Sequence, residues 1–373
     1  MPRDRFMDLL RAGSMFMVVL MHWLSVVPVW RDGRVDERNV TALLPFLWPL
    51  SWIGDVMPVF FFVGGYANWV SWRNACARGE HRADFIGHRY RRLLVPALVF
   101  MALWMLFELV LRAGNLGGGG ALRLVSLGNT VPFGPLWFLG VYLVVVGLSP
   151  WTIALHRRWG LRVVGVMTLG VVATDCAANL WGRPEPLLLN VILVWSIPHQ
   201  LGYLYAEGRL QRLSRPVLAA LALAALGGLA ALTSLPWYPR SLVVPRYQVF
   251  GLDAPTLVLV FAGTWQIATA LLLRQPLQRL LRQARIWRVV QRANEVAIAV
   301  FLWQMTAYLA AALLLQETGM VFAEQPGTAW WLGRPPLLAL SAVLLAPVVL
   351  AVRRLESAMR HHARVRTGMH PAA

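Results

Sequence analysis

Residues 8–30 read DLLRAGSMFMVVLMHWLSVVPVW, an apolar run with Arg11 near its start and His22 deeper in. At about 100° per residue, the steps from Arg11 to His22 close roughly three helical turns, so the two side chains share one face. They lie about 16 Å apart along the axis, which sets an arginine at one membrane edge and a histidine near the bilayer midplane. A cation in a span costs roughly 2.5–3.5 kcal/mol on insertion scales, and ionisable groups there face a bundle interior or a water-filled cavity. The helix therefore reads as one wall of a site. It is too long for a signal peptide's apolar region, and no small-residue cleavage site follows it before Pro28, so it is expected to stay as a span.

The rest of the chain has the same character. Hydrophobic residues make up 58% of 373, charged residues 14%, and the mean hydropathy is +0.57. That composition excludes an ordinary soluble globule and predicts an all-α integral membrane protein, multi-pass in the cell membrane. Spans are expected near 8–29, 52–72, 92–112, 135–155, 161–181, 187–206, 216–235, 254–273, 294–316 and 331–352, a bundle of about ten. They form one domain over 1–355, followed by a basic tail over 356–373. The net charge of +18 does not imply nucleic acid, because the arginines flank the spans as orientation signals. With the N-terminus inside, 26 of the 35 fall on inner segments and 9 on outer ones, which predicts both termini in the cytoplasm. Lysine is absent.

Between spans the signals are modest. Asn39-Val40-Thr41 is a glycosylation sequon, and Gly117 to Gly120 form a flexible turn with neither the strand nor the Lys-Ser/Thr of a phosphate loop. The outer segment 236–253 joins Trp237, Tyr238, Tyr247 and Phe250 to Arg240 and Arg246, the composition of an interface anchor. The inner segments 73–92 and 274–292 are strongly basic, and the second reads as a basic amphipathic helix. Contact with anionic lipid and docking of a phosphorylated cytoplasmic ligand both fit them. Cys76 and Cys176 fall on opposite sides of the membrane and are not expected to pair. No His-Glu-x-x-His, Cys-x-x-Cys or Gly-x-Ser-x-Gly occurs, which removes the common zinc and serine-hydrolase readings; no metal is expected.

Four stretches taken in order carry a resemblance. They are the Arg11/His22 pair, Met57-Pro58-Val59-Phe60-Phe61-Phe62-Val63-Gly64-Gly65-Tyr66, Arg89-Tyr90-Arg91-Arg92-Leu93-Leu94-Val95-Pro96, and Gly134-Pro135-Leu136-Trp137-Phe138-Leu139. Together they resemble the acyltransferase-3 family of membrane O-acyltransferases over most of the chain. The resemblance implies transfer of an acyl group, acetyl or another short one, from cytoplasmic acyl-CoA as co-substrate to a hydroxyl-bearing acceptor: a glycan, a lipid-linked sugar or a secreted metabolite. Two departures stand out. Relatives often have Ser-Gly-Phe where this chain has Gly64-Gly65-Tyr66, and a histidine in the ninth span where it has Gln304.

On this resemblance His22 is the catalytic residue, either as general base or as acyl carrier. Arg11, with Arg91 and Arg92, is expected to bind the donor. Asp55, Tyr66, Trp137, Gln304 and His199 are possible supporting residues. Glu108, Asp175, Gln200 and Gln266 complete the polar groups expected inside spans, where interhelical hydrogen bonding is the alternative account. The competing class is a polytopic transporter or flippase without covalent chemistry, although no inverted repeat of broken helices is visible.

Overall fold

The structure is a computed structural model describing residues 3–31, 34–113, 133–243, 248–249, 252–318 and 327–366. The Gly117–Gly120 turn, Arg246, Tyr247 and Phe250 lie outside the described residues. The protein is a helical, multi-pass membrane protein. Among the described residues, nine helices are long and apolar enough to span a bilayer, or ten when one bent pair counts as a span.

In chain order the elements are α1 (Arg5–Ser25), a hairpin of β1 (Val26–Arg31) and β2 (Arg34–Asn39), α2 (Trp48–Gly54), α3 (Met57–Ala77), α4 (Arg82–Ala113), α5 (Leu136–Trp159), α6 (Arg162–Trp181), α7 (Asn190–Ala206) and α8 (Arg215–Thr233). A short hairpin of β3 (Gln248–Val249) and β4 (Leu252–Asp253) precedes α9 (Leu257–Leu272), α10 (Arg274–Leu280), α11 (Ala284–Glu317) and α12 (Thr328–Arg366). The first helix ends at Ser25, short of the expected residue 29, because the β-branched run Val26-Val27-Pro28-Val29 favours a strand and proline ends the helical ladder. The expected single amphipathic helix over 274–292 is instead two helices, with α9 and α10 bent by 55°.

The described chain falls into two compact units, the first of residues 1–21, 39–95 and 136–294, the second of 22–38, 96–135 and 295–373. The centre of the first is α7, whose span is 67% buried against 22% for α6. It packs on α3, and its glycines explain how closely. A Cβ on Gly65 would strike the carbonyl of His199, and one on Gly202 would strike the carbonyl of Phe62. Small residues that let two backbones meet are the usual adhesive between spans, since lipid supplies no water-exclusion force. Phe61 stacks on Trp195 at 4.9 Å on the same seam. A second cluster joins Phe6 and Met7 of α1 to Val59, Phe62 and Val63 of α3, Tyr205 of α7, Leu218 of α8 and Ile267 of α9.

Between α2 and α3 the second span is broken at Asp55 and Val56. A break inside a membrane frees backbone groups that must find partners. Gln266 of α9 donates to the carbonyls of Trp52 (2.9 Å) and Asp55 (2.7 Å), and the Asp55 carboxylate accepts the Met57 N–H at 3.2 Å.

Candidate functional site

Asp4 caps the start of α1: its Oδ1 accepts the N–H groups of Phe6 (2.9 Å) and Met7 (3.3 Å), and its Oδ2 accepts the Tyr205 hydroxyl at 2.9 Å. This fixes the beginning of α1 against the end of α7. Beside the join lies a cavity of about 650 Å³ lined by Arg3, Asp4, Arg5, Tyr66, Tyr205, Gln211, Gln278 and Arg282. Arg5 donates to the Leu281 carbonyl at 2.9 Å, and both Arg3 and Arg5 lie over the Trp287 ring. Three guanidinium groups and the Asp4 carboxylate thus share the wall of this cavity.

Of the residues expected to bind the donor, Arg11 is held firmly. Its Nε donates to Asn294 Oδ1 at 2.5 Å and its Nη2 to Asp8 Oδ1 at 3.3 Å, while Asn294 Nδ2 returns to the Asp8 carbonyl at 2.8 Å. Asp8 also pairs with Arg3. Arg91 and Arg92 are exposed on α4, with Arg92 near enough for its charge to be felt at Arg11. The third arginine of that motif, Arg89, turns inward instead. It donates to Asn68 Oδ1 at 2.6 Å, and Asn68 Nδ2 lies 2.9 Å from Nε2 of the buried His199. His199 thus belongs to an interhelical relay, Arg89–Asn68–His199, rather than standing alone.

Tyr66 lines the cavity and meets Tyr205 edge-on at 5.7 Å. Trp137 sits at the start of α5, 39% exposed, against Trp195 at 6.0 Å. Asp55 occupies the helix break. Gln200 accepts from the buried His156 Nδ1 at 2.8 Å. Asp175 is satisfied by Asn190 (2.8 Å), the Leu257 N–H (2.9 Å) and Tyr238, whose hydroxyl is pushed up in pKa first by burial and then by that carboxylate. This cluster ties the start of α9 to α6 and to the start of α7. At Gly64 a Cβ would lie 2.8 Å from the Tyr142 ring, so the tyrosine leaves no room for a side chain there unless it moves.

In the second unit, α1 carries His22 in its last turn. The carbonyls that end this helix are bound by a buried cation. Arg334 of α12, 5% exposed, donates to the carbonyls of Trp23 (3.2 Å) and Val26 (3.0 Å) and to the Tyr308 hydroxyl (2.7 Å), and it stacks on Trp330 at 3.9 Å. Tyr308 donates to the Val26 carbonyl at 2.7 Å, and Trp23 Nε1 to the carbonyl of Gln304 at 3.2 Å. Gln304 itself is fully buried, and among the described residues neither polar atom of its carboxamide has a partner. An orphaned buried amide costs about 1–3 kcal/mol, which makes it unusual. Glu108 is also buried in this unit. Sequence reasoning counted Arg334 among the outer orientation charges and passed over Asn68 and Asn294; the one available signal was that arginine and asparagine at such depth need partners.

Residues 4–352, nearly the whole chain, match the acyltransferase-3 family, described as an acyltransferase domain. The chain belongs to this family. The acyltransferase reading therefore displaces that of a transporter or flippase, and the protein is a membrane acyltransferase. No curated protein and no solved structure matches the chain. Among the described residues of this acyltransferase, no three His, Cys, Asp or Glu side chains converge as a metal site would require.

Proposed function

We propose that this acyltransferase moves a short acyl group, acetyl or one of similar size, from acyl-coenzyme A to a hydroxyl of a glycan, a glycolipid or a secreted metabolite. His22 serves as general base or acyl carrier, and Arg11, Arg91 and Arg92 contribute to holding the donor. The observation that carries the donor half is the cavity of about 650 Å³ with Arg3, Arg5 and Arg282 in its wall. Its volume falls in the usual range of about 300–1,000 Å³ for small-molecule sites. Coenzyme A is a polyanion on a long neutral arm, and guanidinium forks bind phosphates bidentately.

Purified protein given radiolabelled acetyl-coenzyme A, with release of free coenzyme A followed, tests the reaction. Arg5 is occupied by a backbone carbonyl, so Arg282 is the better probe of the cavity. Losing a charge-assisted hydrogen bond costs about 1.5–3 kcal/mol, so Arg282→Glu is expected to raise KM for acetyl-coenzyme A by roughly ten- to a hundredfold or more. An unchanged KM would remove the cavity from the donor site, and no release by the wild type would remove the reaction.

A further inference from the structure

We propose that Gln304 is a catalytic residue, its carboxamide N–H donating to the carbonyl oxygen of the acyl thioester as negative charge develops there. The inference rests on the acyl-transfer reading of His22 and adds a group to it. Four observations within the second unit carry it. Gln304 is fully buried, and among the described residues both its Nε2 and its Oε1 lack a hydrogen-bond partner. Buried amides are nearly always hydrogen-bonded, so one with both polar atoms unpartnered calls for an explanation, and a group that arrives with the substrate supplies one. Its backbone carbonyl accepts the indole N–H of Trp23 at 3.2 Å, the residue next to His22. The turn bearing His22 is fixed by Arg334 and Tyr308 at the carbonyls of Trp23 and Val26, so the two groups are registered by hydrogen bonds on both helices.

The chemistry suits a neutral amide. As the acceptor hydroxyl gives its proton to His22, its oxygen lone pair forms a bond to the thioester carbon and the C=O π pair moves onto oxygen. The N–H of Gln304 stabilises that oxyanion. When the C=O reforms, the C–S bond breaks, and the coenzyme A sulfur leaves with the proton returned by His22. Every electron pair and proton is accounted for without another reactant. A preorganised donor costs nothing in reorganisation at that moment, and loss of one oxyanion donor typically lowers kcat by about 10²–10³-fold. A glutamine carboxamide does not titrate, so its N–H is available as a donor whatever the protonation state of His22.

The test is Gln304→Met, close in shape and without the amide, assayed as release of coenzyme A from acetyl-coenzyme A with water as acceptor. Expected is a kcat lower by about a hundredfold, a KM for acetyl-coenzyme A within about threefold of wild type, and a melting temperature equal or higher, since an orphaned polar group has been removed. Turnover within threefold of wild type would overturn the proposal while leaving His22 in place. Absent release by the wild type, with water and with an added sugar as the hydroxyl acceptor, overturns both. If the methionine variant fails to fold, Gln304→His keeps one N–H donor at the position: retained turnover in the folded protein supports the assignment, and its loss there overturns it.

Discussion

Replacing His22 by glutamine separates chemistry from packing, because an amide keeps hydrogen-bonding capacity but cannot take a proton near neutral pH. If the imidazole only joins helices, His22→Gln costs roughly 1–2 kcal/mol or less and leaves turnover intact. We expect acyl transfer abolished, with melting temperature and donor binding near wild type, measured on the same purified variant. Substantial remaining turnover would sink both the general-base and the acyl-histidine mechanism. Gln304 and His22 are then two sides of one argument. The first has a buried amide whose need is unmet in the resting fold, and the second sits in a turn where the carbonyls of Trp23 and Val26 are bound by Arg334. Such over-determination around one residue is what precise placement of a reacting group requires.

At the scale of elements, the contact of α3 with α7 is the least forgiving. Gly65→Ala places a methyl against the His199 backbone, which unlike a side chain cannot rotate away. Overpacking of that kind costs about 1–3 kcal/mol, and the melting temperature should fall accordingly. Gly227→Ala is the control, since its Cβ would meet nothing within 4 Å, and replacing a helix-interior glycine should be neutral or slightly stabilising. Equal melting temperatures for the two variants would show that the helices can part freely. The spans themselves were legible from hydropathy, because each helix must hide its own backbone from lipid and so announces itself by length. The breaks were not. The interruption at Asp55 depends on Gln266, which is distant in sequence, and no local pattern records that partnership. Arg334 misled for the same reason, since hydropathy and flanking charge cannot tell an arginine at a helix edge from one bound by carbonyls within the protein. That Arg11 and His22 lie on one helix was legible, because a single apolar run carries both. The cavity was not, because Arg3, Arg5 and Arg282 meet only through the fold.

For the molecule as a whole, the distribution of 26 inner against 9 outer arginines predicts that both termini face the cytoplasm. With Cys76 and Cys176 replaced by serine, an impermeant thiol reagent applied from outside should label Arg240→Cys and spare Arg285→Cys. The opposite pattern would put the arginine-lined cavity on the wrong side for a cytoplasmic donor. The seam between α3 and α7 also has a history during synthesis. More than a hundred residues separate Gly65 from Gly202 in the chain. At about 5–20 residues per second, α3 emerges roughly 7–27 s before the helix it must grip. Arg89 follows soon enough to engage one end of the Asn68 amide, but the other end has His199 as its partner. Through that interval a polar side chain and a groove of bare glycine backbone stand open to whatever surrounds the nascent chain. The α3–α7 joint thus closes part-way through synthesis, still ahead of the contacts of Arg11 with Asn294 and of Arg334 with the Trp23 carbonyl, which wait for the last third of the chain.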